Sequence, residues 1–158
     1  MRSRKLRYWE DIAIGTKREG GGKIVTAAEI IAFASKYDPQ YFHTDPKAAE
    51  KSIYGGLIAS GWHTAAMMMR MLVDGFNNDT ASLGSPGFDT LRWYMPVRPG
   101  DILSVRSVCV DKAPSQSRPG TGSCRFQTEV LNQKGEVVMS LITIGMYRRR
   151  PQGEETPT

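Results

Sequence analysis

The sequence predicts an α+β domain in which one antiparallel sheet wraps around a long central helix. Helical patterns fill the first half of the chain and strand patterns the second, an order that segregates helices from sheet. The stretch "LIASGWHTAAMMMRMLVDGF", residues 57–76, is apolar on nearly every side and meets its first charge at Arg70, so it needs an enclosure. The strands that follow are long and joined by short turns, and rolling such a meander around the helix buries both.

Taken in order, "GGGKIVTAAEIIAFASKY" opens with glycines and then sets Thr26 and Glu29 at the spacing of a reciprocal N-terminal cap. A helix is expected from Ala27 to Tyr37, ended by Pro39, because the residue before a proline is pushed out of the helical region. The next eight residues read as loop. Asp45 followed by Pro46 makes an N-cap with a first-turn proline, so "PKAAEK" is a brief helical turn. Gly55 and Gly56 interrupt the chain and lead into the long helix. Strands are expected over 88–96, 102–111, 123–132 and 136–148; "SCRFQTEVL" alternates, with Cys124, Phe126, Thr128 and Val130 on one side. "QKGE" supplies a hairpin turn and "VRPGD" a proline-glycine turn. The last strand, "VVMSLITIGMY", is apolar on both faces and is expected to be central. Residues 1–150 form one domain, and "PQGEETPT", 151–158, reads as a disordered tail.

At 158 residues the chain can bury roughly 70% of the surface its unfolded form exposes, so it needs no disulfide or metal to fold. Cys109 and Cys124 form no CxxC pair and have no histidine at ligand spacing; they read as core thiols of a reducing compartment. The basic start is followed by polar, glycine-rich sequence where a secretory signal requires an apolar run, and 57–69 is too short to span a bilayer. A cytoplasmic protein with no membrane contact is expected. The net charge of +5 is accounted for by Arg2, Arg4, Lys5 and Arg7 at one end and Arg148, Arg149 and Arg150 at the other. No basic helix interleaved with aromatics accompanies them, which argues against a nucleic-acid partner.

Only two histidines occur, and one lies in "KYDPQYFHTDP", five positions after an acid. Read alone, an Asp before Pro is a turn former and a His among aromatics is a half-buried side chain. Followed by a double glycine and an uncharged helix, Asp38 and His43 acquire a chemical reading. An acid and an imidazole holding one water between them can take a proton from it and place a proton on a carbon. Free N–H groups at the helix start at Gly55 and Gly56, backed by the helix dipole, can stabilise an oxyanion. Asp45 is assigned to capping.

"DPQYFHTDP", then "YGGLIASG" opening an apolar helix, then "MPVRPGDIL" entering a strand, resembles the MaoC-like dehydratase family, which includes the (R)-specific enoyl-CoA hydratases. The resemblance covers roughly residues 8 to 148. It implies a hotdog fold with the glycine-led helix at its centre, and Asp38 and His43 as the catalytic pair. It also implies addition or removal of water at the double bond of a 2-enoyl thioester, with CoA as part of the substrate and no metal or other cofactor. The chain departs from the family signature at Lys36 and Tyr37 before the acid, and at Gln40 and Tyr41 where Asn and Pro stand. Tyr41 and Phe42 place bulk beside the site. Ser60 and His63 lie near where some hydratases carry a supporting serine; His63 either reaches the site or packs. Trp62 and Met67, Met68, Met69 and Met71 read as core or as acyl-pocket lining, and Arg92 and Arg98 as candidates for the CoA phosphates. The alternatives are a hotdog thioesterase and a non-catalytic acyl-CoA-binding or assembly subunit. Hotdog proteins of this kind pair edge to edge, and the two apolar faces of "SLITIGMY" need cover, so a homodimer or a dimer of dimers is expected.

Overall fold

A computed structural model describes residues 5–153, so most of the tail assigned to 151–158 lies outside the described residues. Within them the α-helices and strands follow one another as β1 (Lys17–Ile24), α1 (Ala27–Tyr37), α2 (Tyr41–Thr44), α3 (Pro46–Ala49), α4 (Gly61–Gly75), β2 (Gly87–Trp93), β3 (Ile102–Pro114), β4 (Thr121–Leu131) and β5 (Val137–Arg148). The strands form one antiparallel sheet in the order β1-β3-β4-β5-β2, with α4 packed on it. This is the α+β hotdog arrangement expected from the pattern of the chain.

Local chemistry sets several boundaries. The Thr26 hydroxyl accepts from the Glu29 N–H and starts α1, and the Asp45 carboxylate accepts from the N–H groups of Lys47 and Ala48 and starts α3. Gly135, at a φ of 74°, turns β4 into β5, where a side chain would be strained. The segment expected as loop after α1 contains one further helical turn, α2, which carries Phe42 and His43.

The core lies between α4 and one face of the sheet. Met67, Met68, Met71 and Leu72 meet Leu103 and Val105 of β3, Val130 of β4, and Val138, Met139 and Leu141 of β5. Burial of each such side chain contributes about 1.5–3 kcal/mol. β5 is flanked by β4 and β2, so its two-sided apolar pattern does mark a central strand.

The structure corrects other expectations. β1 has no strand pattern in the sequence; its glycines serve close approach, since a Cβ on Gly20 would lie 3.3 Å from the Met71 carbonyl oxygen and one on Gly21 2.5 Å from the Ser104 Cβ. The long helix begins at Gly61 rather than at 57, and Gly55 and Gly56 sit in a turn ahead of it. It is also not enclosed all round: Trp62 and Met69 are 55% and 44% exposed on its outer side. The free edges of the sheet are β1 and β2.

Candidate active site

α1 ends at Tyr37 and its C-cap is Asp38, whose N–H still donates to the Ala34 carbonyl while its backbone leaves the helical region before Pro39. The chain then re-enters one helical turn, and α2 brings His43 back beside the carboxyl. The His43 Nε2 lies 3.3 Å from Asp38 Oδ2, and its Nδ1 lies 2.7 Å from the Ile58 carbonyl oxygen. A carbonyl only accepts, so Nδ1 carries a proton and Nε2 is the atom free to exchange one. The histidine side chain is 6% exposed and the carboxylate 20%, so the imidazole is buried and the acid reaches solvent only in part.

Burial alone would push the Asp38 carboxyl up, but the Ser60 hydroxyl, the Gln40 amide and the adjacent His43 outweigh it and hold the carboxyl below its ordinary value. The Gln40 Nε2 donates to Asp38 Oδ1 over 2.7 Å. Ser60 is wholly buried, and its hydroxyl stands near the carboxyl but outside ordinary hydrogen-bond geometry. Its dipole therefore acts on the charge while Oγ keeps no full hydrogen bond among the described residues.

A cleft of about 490 Å³ opens in front of the pair. Asp38, Phe42 and His43 line one side, Gly61, Trp62 and Thr64 at the start of α4 another, and Trp93 and Tyr94 the third. Ser60 is the N-cap of α4 and its side chain caps nothing; its carbonyl accepts from the N–H groups of His63 and Thr64. The N–H groups of Gly61 and Trp62 thus have no partner among the described residues, and the positive end of the helix dipole faces the cleft. Gly61 is required by its neighbour: a Cβ there would lie 2.4 Å from Trp93 Cε2, and the Trp93 indole N–H donates to the Gly61 carbonyl over 3.1 Å.

Of the residues singled out from the sequence, the cleft therefore gathers Asp38, Gln40, Phe42, His43 and Trp62, with Ser60 buried behind the acid. Gly55 and Gly56 do not line it. The Gly55 N–H donates to the Ser52 carbonyl, and a Cβ on Gly56 would meet the Arg98 guanidinium at 3.5 Å. The free N–H groups at a helix start lie instead at Gly61 and Trp62, where α4 begins. Tyr41 is 51% exposed and lies outside the cleft wall. His63 turns away: its ring stacks on Phe33 at 4.8 Å, and it lines a separate cavity with Lys23 and Glu29. Burial pushes the His63 pKa down, against the nearby Glu29 carboxylate. Arg98 donates to the Tyr54 carbonyl over 2.6 Å at the rim of the cleft, and Arg92 is exposed on β2. Sequence reading missed Gly61, Thr64, Trp93 and Tyr94. The one signal for them was the lone glycine inside "ASGW", masked by the double glycine before it.

Residues 11–131 match the MaoC like domain family. An uncharacterized protein of Bacillus subtilis, YdeM, is 33% identical over 111 residues, covering 70% of this chain and 77% of that protein. The mesaconyl-CoA hydratase of Cereibacter sphaeroides is 34% identical over 71 residues, or 45% of this chain, and the match spans only 20% of that longer protein. The crystal structure of a MaoC-like dehydratase from Rhodospirillum rubrum superposes with a TM-score of 0.83 at 42% identity, covering 92% of this chain and 99% of that one. With the match running from the 3-10 turn at Trp9–Asp11 through β4, and with the sheet packed on α4, this chain belongs to the MaoC-like domain family.

Proposed function

We propose that the chain adds or removes water at the double bond of a 2-enoyl thioester, with CoA entering as part of the substrate. The observation that carries this reading is the pairing of Asp38 and His43 across 3.3 Å in a cleft that the unpartnered N–H groups of α4 also enter. When Nε2 carries no proton, it and the carboxylate are two acceptors, and a water held by the pair satisfies both by donating one hydrogen to each. That water is the nucleophile. As its oxygen bonds to the β-carbon, one proton passes to the pair and a proton from the pair is placed on the α-carbon, so the pair ends as it began. The electrons displaced onto the thioester oxygen meet the N–H groups of Gly61 and Trp62. Dehydration is the reverse. Phe42, Trp62 and Trp93 offer the acyl group an apolar wall along the cleft.

Membership of the family and the similarity to a hydratase named for mesaconyl-CoA support the reaction class. The same reading includes a homodimer joined through β2, the edge strand that exposes Phe88 and Trp93 and runs into exposed Tyr94. No helix among the described residues is long and apolar enough to cross a membrane. The test is to incubate purified protein with crotonyl-CoA and longer 2-enoyl-CoAs and follow the enoyl thioester absorbance. Turnover supports hydration, whereas tight binding of every thioester without turnover would replace it by the non-catalytic subunit.

A further inference from the structure

Neither the fold nor the cleft chemistry explains Arg18 of β1. It is 5% exposed, and its Nε donates to the Ser107 hydroxyl over 2.7 Å. The forked end is held far less well: Nη1 and Nη2 reach Asn77 Oδ1 and Thr143 Oγ1, each at 3.4 Å, with the Tyr147 hydroxyl nearby. Its central carbon lies 3.6 Å from the Phe126 ring centroid and 4.9 Å from that of Phe76. No ion pair between Arg18 and a carboxylate is found among the described residues. The titratable groups acting on it are Tyr147, Cys109 and Cys124, all pushed up by burial and so neutral near pH 7. Burial brings the Arg18 pKa down to about 10, the sign of a cation whose desolvation is not offset by its surroundings. Stacking on aromatic rings offsets only part of that penalty.

Arg18, Asn77 and Thr143 all line a cavity of about 390 Å³ whose other walls are largely apolar, among them Leu72, Phe88 and Leu141. An apolar chamber with a few convergent polar groups at one place is the form of a small-molecule site. A guanidinium fork with two long contacts is the group that receives a carboxylate through two parallel hydrogen bonds. The chamber also neighbours the catalytic cleft. Thr64 lines the cleft and Met68, one helical turn along the same face of α4, lines the chamber; β2 borders the cleft with Trp93 and the chamber with Phe88. From Gly61 to Leu72 the helix rises by roughly 16 Å.

We propose that this chamber holds an apolar chain ending in a carboxylate, with the carboxylate on the Arg18 fork and the methylenes against Leu72, Phe88 and Leu141. The carboxylate is either the far end of the acyl group of the thioester or a free chain acid. The first of these rests on the hydratase reading; recognition of the carboxylate itself does not.

Decanoate and decan-1-ol, which differ only in the head group, are titrated calorimetrically into the wild-type protein and Arg18→Met. Decanoate is expected to bind at least about 10-fold more tightly than the alcohol, as a charge-assisted contact gives, and Arg18→Met to abolish the preference while still binding the alcohol. Equal affinities in the wild type, no binding of decanoate, or a preference retained in Arg18→Met would each overturn the proposal. Should Arg18→Met not fold, the wild-type comparison decides together with the Arg18 Nε–H resonance, which must shift with decanoate and not with decanol. The source is assigned by comparing a 2-enoyl-CoA bearing a terminal carboxylate with its methyl-terminated analogue. A lower KM for the carboxylate, lost in Arg18→Met, assigns the acyl tail; decanoate binding without that difference assigns a free acid. Absence of turnover of crotonyl-CoA and of every longer or carboxylate-ended 2-enoyl-CoA would refute the hydratase reading and leave the calorimetric result standing.

Discussion

Replacing Gly61 by alanine tests the role of the α4 start with one methyl group. The new Cβ would sit 2.4 Å from Trp93 Cε2 and 2.8 Å from both Cζ2 and Nε1. Carbon atoms in contact rest at about 3.5–4.0 Å, so the indole and the helix start must separate by about 1 Å. Overpacking of this kind costs about 1–3 kcal/mol, and at about 2–4 °C per kcal/mol for a chain of this size the melting temperature falls by several degrees. The catalytic effect should be larger in proportion. The same shift moves the Gly61 and Trp62 N–H groups off the thioester oxygen, and loss of one such donor lowers kcat by about 10²–10³-fold. Steady-state hydration of crotonyl-CoA and a thermal melt measure both quantities on the same sample. Gly122→Ala is the control: its Cβ would lie 2.6 Å from Cε2 of Trp9, an equivalent clash with an indole outside the cleft. It should lose similar stability and keep kcat. Wild-type kcat in Gly61→Ala, or an equal fall in Gly122→Ala, would refute the assignment of these N–H groups.

Asp38→Asn and His43→Ala should each lower kcat by at least about 100-fold, the scale for loss of a general acid or base, with far-ultraviolet circular dichroism unchanged; near-normal turnover in either clears that residue. The Asp38 carboxyl, held below its ordinary value, should titrate by carbon NMR with a midpoint under 3.8, and a midpoint above that value would contradict the arrangement around it. Because the folded pKa is the depressed one, the stability this group contributes is present above its unfolded pKa and is lost as pH falls through the folded value. Light scattering at micromolar concentration should show at least a dimer, since β2 presents Phe88 and Trp93 at a free edge; a stable, active monomer would contradict pairing through it.

Where the chain's local chemistry decides structure, the sequence could be read directly. Thr26 and Asp45 start their helices with their own side chains, and the alternation of β4 puts Cys124, Phe126, Thr128 and Val130 inside. The five-residue spacing of Asp38 and His43 was enough to bring them together because a single helical turn lies between them. Distant partners decide the rest. "KREGGGKI" has no strand pattern of its own; it becomes β1 by pairing with β3 and by bringing Gly20 against the backbone of α4. Gly55 and Gly56 are the stronger local signal for a helix start, and only Trp93, 32 residues away from Gly61, shows which glycine the site requires. The direction of His63 follows from the same choice. Once α4 starts at Gly61, Thr64 faces the cleft and His63, about 100° around the helix, faces Phe33.

The isotope fate of the nucleophilic water tests hydration at the Asp38–His43 pair most directly. The wild-type protein and Asp38→Asn are incubated with crotonyl-CoA in ¹⁸O-labelled water, and the products are resolved by mass spectrometry. Hydration predicts a 3-hydroxybutyryl-CoA carrying one ¹⁸O on C3, with the thioester intact, and its loss in Asp38→Asn. Release of free CoA together with an acid labelled in its carboxylate would contradict hydration and assign the cleft to thioester hydrolysis.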